Sequence, residues 1–162
     1  MKKKILKNYT YEGLGFPITL HNVEFVEIDG EFHPKIDVRK VSDMAIISLV
    51  DQKSRLTGNQ IKFIRKYFSK SLREFSVIVN ESHMAVKKWE NFNDKPTNMD
   101  INIEILLRLF IYDQTSIKFS SDKKRLVNFY RQYKILREMF AENALKNKSG
   151  LNKHGPSVEV RI

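Results

Sequence analysis

One stretch constrains the fold of this chain more than any other: SLREFSVIVNESHMAVKKWE, residues 71–90. Leu72, Phe75, Ile78 and Val79 recur at i, i+3, i+6 and i+7, which lines one face of a helix with apolar side chains. Asn80 and Glu81 interrupt the stripe, and Asn tolerates the left-handed backbone with which helices often end. Ser82 then stands where an N-cap would, its hydroxyl able to accept from the free N–H groups of a new helix. In that second helix Ala85, Val86 and Trp89 face inward, leaving His83, Met84, Lys87 and Lys88 outside. Two short helices with a tight turn, the second polar and basic on its free face, fit a helix-turn-helix. A plain helical hairpin within a bundle would satisfy the same apolar spacing.

The order S-x-x-E-x-S…S-x-x-x-V-x-x-W-E resembles the helix-turn-helix of the lambda-repressor/Cro-like (Xre) family. The preceding LTGNQIKFIRKYF makes the whole similar to the C-terminal half of MqsA-type antitoxins, which open with a similar Leu-Thr-Gly and a basic first helix. The resemblance runs from Leu56 to Tyr112, about a third of the chain. YTYEGLGFPITLHNV, at residues 9–23, is a looser echo of the N-terminal module of the same antitoxins. The resemblance implies a homodimer that binds operator DNA, represses its own operon and neutralises a cognate toxin. Family members with zinc hold it on paired cysteines; this chain has no cysteine, so no zinc is carried over.

Charge follows the same stretch. Residues 58–98 carry 8 basic and 4 acidic groups, and residues 122–162 carry 10 and 4. Those two segments hold the whole formal excess of +10. A basic surface attracts polyanions, and counterion release on phosphate neutralisation supplies most non-specific nucleic-acid affinity. A generally Lys-rich, solvated surface is the bland alternative. With 41% hydrophobic residues and 11% aromatics the chain is not wholly disordered. No apolar run approaches a membrane span and MKKKILKNY has no apolar stretch behind it, which predicts a cytoplasmic protein.

Taken in order, the chain predicts an α+β protein with three parts. Residues 1–55 read as an N-terminal α/β module, for toxin binding or dimerisation. Ile18, Leu20, Val23, Phe25 and Ile28 alternate loosely and Asp29-Gly30 signals a hairpin, giving a small antiparallel sheet; a helix over 37–51, capped by Asp37, packs on it. Gln52 to Thr57 read as a polar connector. Residues 56–114 form the all-α helix-turn-helix domain, with an amphipathic first helix over 58–68 and a strongly apolar helix over 100–113 that is either an ordinary core helix or packs on two faces. Residues 115–162 hold a connector or edge strand at Thr115–Phe119, an amphipathic helix over 122–146 and a mobile tail. Leu126, Phe129, Tyr130, Tyr133, Leu136 and Phe140 line one face of that helix; its basic face is a solvated surface, a phosphate patch or a partner site. Val158–Ile162 reads as a short strand that orders only against a partner.

In the helix-turn-helix reading His83, Met84, Lys87 and Lys88 reach base edges. Lys88 falls where the MqsA-type motif usually carries arginine, which removes a forked donor but not phosphate binding. Ser71, Arg73, Ser82, Lys62, Lys66 and Lys70 are the phosphate candidates, with Arg65 beside them. Trp89 reads as a core anchor, and Glu74 and Glu90 as residues that tie helices together. His21 and His33, near Asp29 and Glu31, are too scattered to assign a metal, and no catalytic arrangement or cofactor motif is present. The expected function is therefore a non-enzymatic, sequence-reading repressor acting as an antitoxin. The alternatives are a stand-alone helix-turn-helix regulator, or an RNA-binding or structural protein using the same basic surface.

Overall fold

The computed structural model describes residues 2–116, 122–148 and 158–161, with side chains described over 2–116 and 127–142. The architecture is α+β: an N-terminal sheet followed by six helices, with one more short strand after them. Strands β1 (Lys3–Tyr11), β2 (Ile18–Ile28) and β3 (Glu31–Pro34) form an antiparallel sheet with β2 in the middle. Asp29 and Gly30 turn between β2 and β3 with φ of 51° and 83°, the pair of positive values a two-residue hairpin turn needs. In β2 the alternation slips by one at Asn22, where φ is 58°. Ile18 and Leu20 before it and Val23 and Phe25 after it therefore join the same core.

Strand β4 (Val158–Arg161) runs parallel to β2 along Ile18–His21, so β3 and β4 share one side of β2 and β1 fills the other. The strand expected to order only against a partner is thus paired within its own chain. Residues 149–157 and 162 of the tail, and 117–119 of the expected connector strand, lie outside the described residues. Thr115 and Ser116 instead close a helix.

Helix α1 (Val38–Asp51) is capped by Asp37, whose carboxylate accepts from the Lys40 N–H at 3.1 Å. It buries Val41, Ala45, Ile46, Leu49 and Val50. Helices α2 (Gly58–Tyr67), α3 (Leu72–Ile78) and α4 (His83–Glu90) follow. The core does not divide at 52–57: Ile18, Leu20 and Ile46 share one cluster with Ile61, Phe75 and Trp89. Each such fully buried aliphatic side chain contributes about 1.5–3 kcal/mol, so sheet and helices hold together as one body. An aromatic series runs through the join, Phe16 on Phe63 at 5.3 Å, Phe63 on Tyr67 at 6.0 Å, Tyr67 on Phe68 at 5.0 Å and Phe68 on Phe110 at 5.0 Å.

Helix α5 (Ile101–Ser116) departs from the expectation of an apolar rod. Glu104 and Arg108 are its most deeply buried polar residues, at 0% exposure, while Leu106 points outward. Arg108 donates to the carbonyls of Val50 (3.1 Å), Gln52 (2.5 Å) and Ser54 (2.7 Å) and to Glu104 (2.7 Å). Glu104 in turn accepts from Arg55 at 2.5 Å and from the Leu56 N–H at 3.0 Å. The segment read as a polar connector is therefore a half-buried strap, and Arg108 supplies donors to its Gln52 and Ser54 carbonyls. Burial pulls the Arg108 pKa down, opposed by the charge of Glu104.

Helix α6 (Asp122–Lys148) packs on α5 through Leu136 and Phe140, against Ile105 and Leu109, while its buried Gln132 donates to Asp51 of α1 at 2.9 Å. Phe140 also covers the Arg108 guanidinium at 5.0 Å. The buried arc is narrower than expected. Tyr130 and Tyr133 are exposed, lying about 120° and 60° around the helix from the fully buried Leu136. Among the described residues no helix is long and apolar enough to cross a membrane.

Candidate nucleic-acid interface

The turn between α3 and α4 is built by the chemistry its sequence announces. Asn80 adopts φ 52°, the Glu81 N–H donates to the Ser76 carbonyl at 2.9 Å and the Asn80 N–H to Val77 at 3.2 Å. That paired closure is a Schellman end to α3. The same closure ends α2, with Ser69 at φ 53° and the Lys70 N–H donating to Arg65 at 3.0 Å. Ser71 and Glu74 then form a reciprocal capping box on α3, and Ser82 caps α4 by accepting from the Ala85 N–H at 3.1 Å. The Glu74 carboxyl is held below the usual range, first by the backbone N–H of Ser71 and then by its hydroxyl.

Val86 and Trp89 anchor α4 in the core, with Ala85 partly buried beside them. Trp89 is thus a core residue, as expected. His83, Met84, Lys87 and Lys88 all lie exposed, at i, i+1, i+4 and i+5 on one face, with Met84 at 60%. No carboxylate pairs with Lys87 or Lys88 among the described residues. Ser71, Ser82 and Arg73 are exposed at the starts of the two helices. Lys62 and Lys66 are exposed one turn apart on α2, a different helix, and Lys70 is half-buried in the link to α3.

Arg65 is not available as a phosphate contact. Its guanidinium grips Glu90 with two bonds, of 2.6 Å and 3.0 Å, and donates a third to the Lys70 carbonyl at 3.1 Å. The hydrogen bonds to Glu90 raise its pKa further. Glu90 therefore ties α4 to α2. Glu74 instead closes the cap of its own helix, its carboxylate accepting from the Ser71 N–H at 2.7 Å.

A second clasp explains the Leu-Thr-Gly motif. Leu56 is fully buried and Thr57 caps α2 in a box with Gln60. A Cβ at Gly58 would lie 2.6 Å from the Trp89 carbonyl oxygen and 2.6 Å from the Asn93 nitrogen. Only glycine lets the start of α2 meet the end of α4. The Asn59 N–H donates to the Asn93 carbonyl at 2.8 Å and the Thr97 N–H to Leu56 at 2.9 Å, so the segment that follows α4 is clasped to the start of α2.

The sequence reading missed the Arg55–Glu104–Arg108 network. Its signal was present: Glu104 and Arg108 stand at i, i+4 as an isolated opposite-charge pair within an apolar helix. Among the described residues no group of three or more His, Cys, Asp or Glu comes close enough to hold a metal. Compared with known proteins, the chain matches no family model, no curated protein and no solved structure.

Proposed function

We propose that this protein reads double-stranded DNA through α4, as a non-enzymatic transcriptional repressor acting in the cytoplasm. One observation carries the reading: a rigidly seated helix behind a tight turn presents His83, Met84, Lys87 and Lys88 together on its solvent face, the two lysines without carboxylate partners among the described residues. Lys donates to O6 and N7 of guanine, Met and His add shape and hydrogen bonding at base edges, and Arg73, Ser71 and Ser82 meet phosphates. A homodimer would set two such helices about 34 Å apart, one turn of the duplex, on a palindromic site. The resemblance of residues 56–112 to MqsA-type antitoxins extends the proposal to an antitoxin that represses its own operon and binds a cognate toxin. The single core favours a second reading, a stand-alone regulator, because the sheet is not a separately tethered module.

Binding of the purified protein to the DNA upstream of its gene, against a scrambled duplex and across a salt series, tests the reading. Discrimination that persists at about 0.15 M salt supports sequence reading; equal binding that collapses with salt leaves only the action of the net charge.

A further inference from the structure

The sheet carries an open edge on a strand that holds none of the residues assigned to DNA reading. β2 fills one side of β1, and the other side meets no strand among the described residues. The Glu27 N–H donates to the Lys2 carbonyl at 3.1 Å. In the antiparallel register that follows, Lys4 exchanges hydrogen bonds with Phe25, and Lys3 and Ile5 turn their N–H and C=O groups to the open side. Every residue from Lys3 to Asn8 is exposed. Ile5, opposite Glu24, is 67% exposed on the outer face, and Leu6, opposite Val23, is also exposed.

Proteins usually blunt such an edge with brevity, proline or a covering element. β1 is 9 residues long and contains no proline. The device it does carry is lysine, at Lys3, Lys4 and Lys7, with no acidic residue in the strand. Lys3 bridges Glu24 at 2.6 Å and Lys4 lies over the rings of Phe32 and Phe25, while Lys7 pairs with no carboxylate among the described residues. Like charges facing one another across a strand pair are destabilising, so this edge repels a second copy of a +10 chain. The same lysines favour an acidic strand.

We infer that the open edge of β1 accepts an extended acidic segment of a protein partner as an added strand. Main-chain bonds to Lys3 and Ile5 supply affinity, and Lys7, which pairs with no carboxylate among the described residues, selects an acidic side chain. The site is independent of DNA reading by α4, and either can fail alone.

The test uses the isotope-labelled full chain and a blocked peptide of alternating Val and Glu, as long as β1, at about 0.15 M salt. Saturable amide shift changes confined to Lys3–Tyr11 are expected. Methylating alternate peptide nitrogens should weaken binding by about tenfold or more, and Ile5→Pro, which deletes an outward N–H, should do the same. Equal binding of the methylated peptide, or shift changes centred on α4, would overturn the proposal in favour of charge alone. Shift changes on β1 from a short DNA duplex but none from the peptide would overturn it in favour of nucleic acid. The methylated peptide keeps the test decisive even where Ile5→Pro unfolds the sheet.

Discussion

Arg108 on α5 and the pair Lys87 and Lys88 on α4 are cations of the same chain used in opposite ways. Arg108 is wholly buried, donates to three backbone carbonyls and a carboxylate, and lies under an aromatic ring. Lys87 and Lys88 are exposed and meet no carboxylate among the described residues. The difference lies in desolvation. A buried guanidinium is stable only where most of its donors are met, as those on the two terminal nitrogens of Arg108 are, so its contacts are fixed by the fold. An exposed ammonium stays hydrated until something anionic displaces its water, so its contacts are left for a partner. A net charge of +10 therefore overstates one surface and understates one core.

The comparison breaks most sharply at Glu104. Glu104→Ala leaves Arg108 buried without its counter-charge and should lower unfolding free energy by about 3–5 kcal/mol, read from urea midpoints. The paired variant Glu104→Leu with Arg108→Met should recover little of this. The carbonyls of Val50, Gln52 and Ser54 would then lose the donors Arg108 supplies, a cost that a simple ion-pair replacement does not incur. Full recovery in the double variant would reduce the network to an ordinary salt bridge.

At the other pole, Lys87→Ala with Lys88→Ala should leave stability within about 0.5 kcal/mol. Discrimination between operator and scrambled DNA should fall by about 2–4 kcal/mol, measured by titration at fixed salt. A folded double variant that still discriminates would mean that α4 does not read sequence.

Arg65 sharpens the boundary between the two uses, since sequence alone groups it with the phosphate candidates Lys62 and Lys66. Arg65→Met should cost about 1.5–3 kcal/mol of stability, because Glu90 loses a two-pronged partner. Under conditions where the variant stays folded, the slope of log affinity against log salt should not change. A slope reduced by about one unit with unchanged stability would return Arg65 to the phosphate surface.

Local chemistry was largely legible in the sequence. The Ser82 cap, the Asn80 turn, the Asp29-Gly30 hairpin and the Asp37 cap depend on a few adjacent residues, and each stands where its residues predicted. So do the exposed positions of α4, which follow from which side Val86 and Trp89 bury. What was not legible lies between distant segments. Arg65 meets Glu90 and Arg55 meets Glu104 across long sequence separations, and no spacing rule fixes such pairs. The slip in β2 depends on one left-handed Asn22, and the pairing of β4 with β2 joins the two ends of the sequence. The join of sheet and helices into one core was hidden for the same reason: polar residues at 52–57 read as a linker until Arg108 is seen to reach them.

Tyr67 lies between the extremes and gives the smallest effect. Its hydroxyl donates to the Asp43 carboxylate at 2.7 Å, linking α2 to α1 across the join. Burial first, and the hydrogen bond and charge of Asp43 after it, push its pKa up to about 12 from the ordinary 10. The folded state therefore holds the phenol neutral where the unfolded chain ionises it. Stability from this group is complete below about pH 10 and is lost as pH rises from there through about 12. Tyr67→Phe should lose only about 0.5–1.5 kcal/mol at neutral pH, since the bond is partly exposed and Asp43 can return to water. Subtracting the urea midpoints of the variant from those of the parent, at matched pH, cancels the other titrating groups. The difference should be flat to about pH 10 and then narrow towards zero. A difference constant through pH 11 would mean that Tyr67 ionises alike in both states, and that the α1–α2 join rests on apolar packing alone.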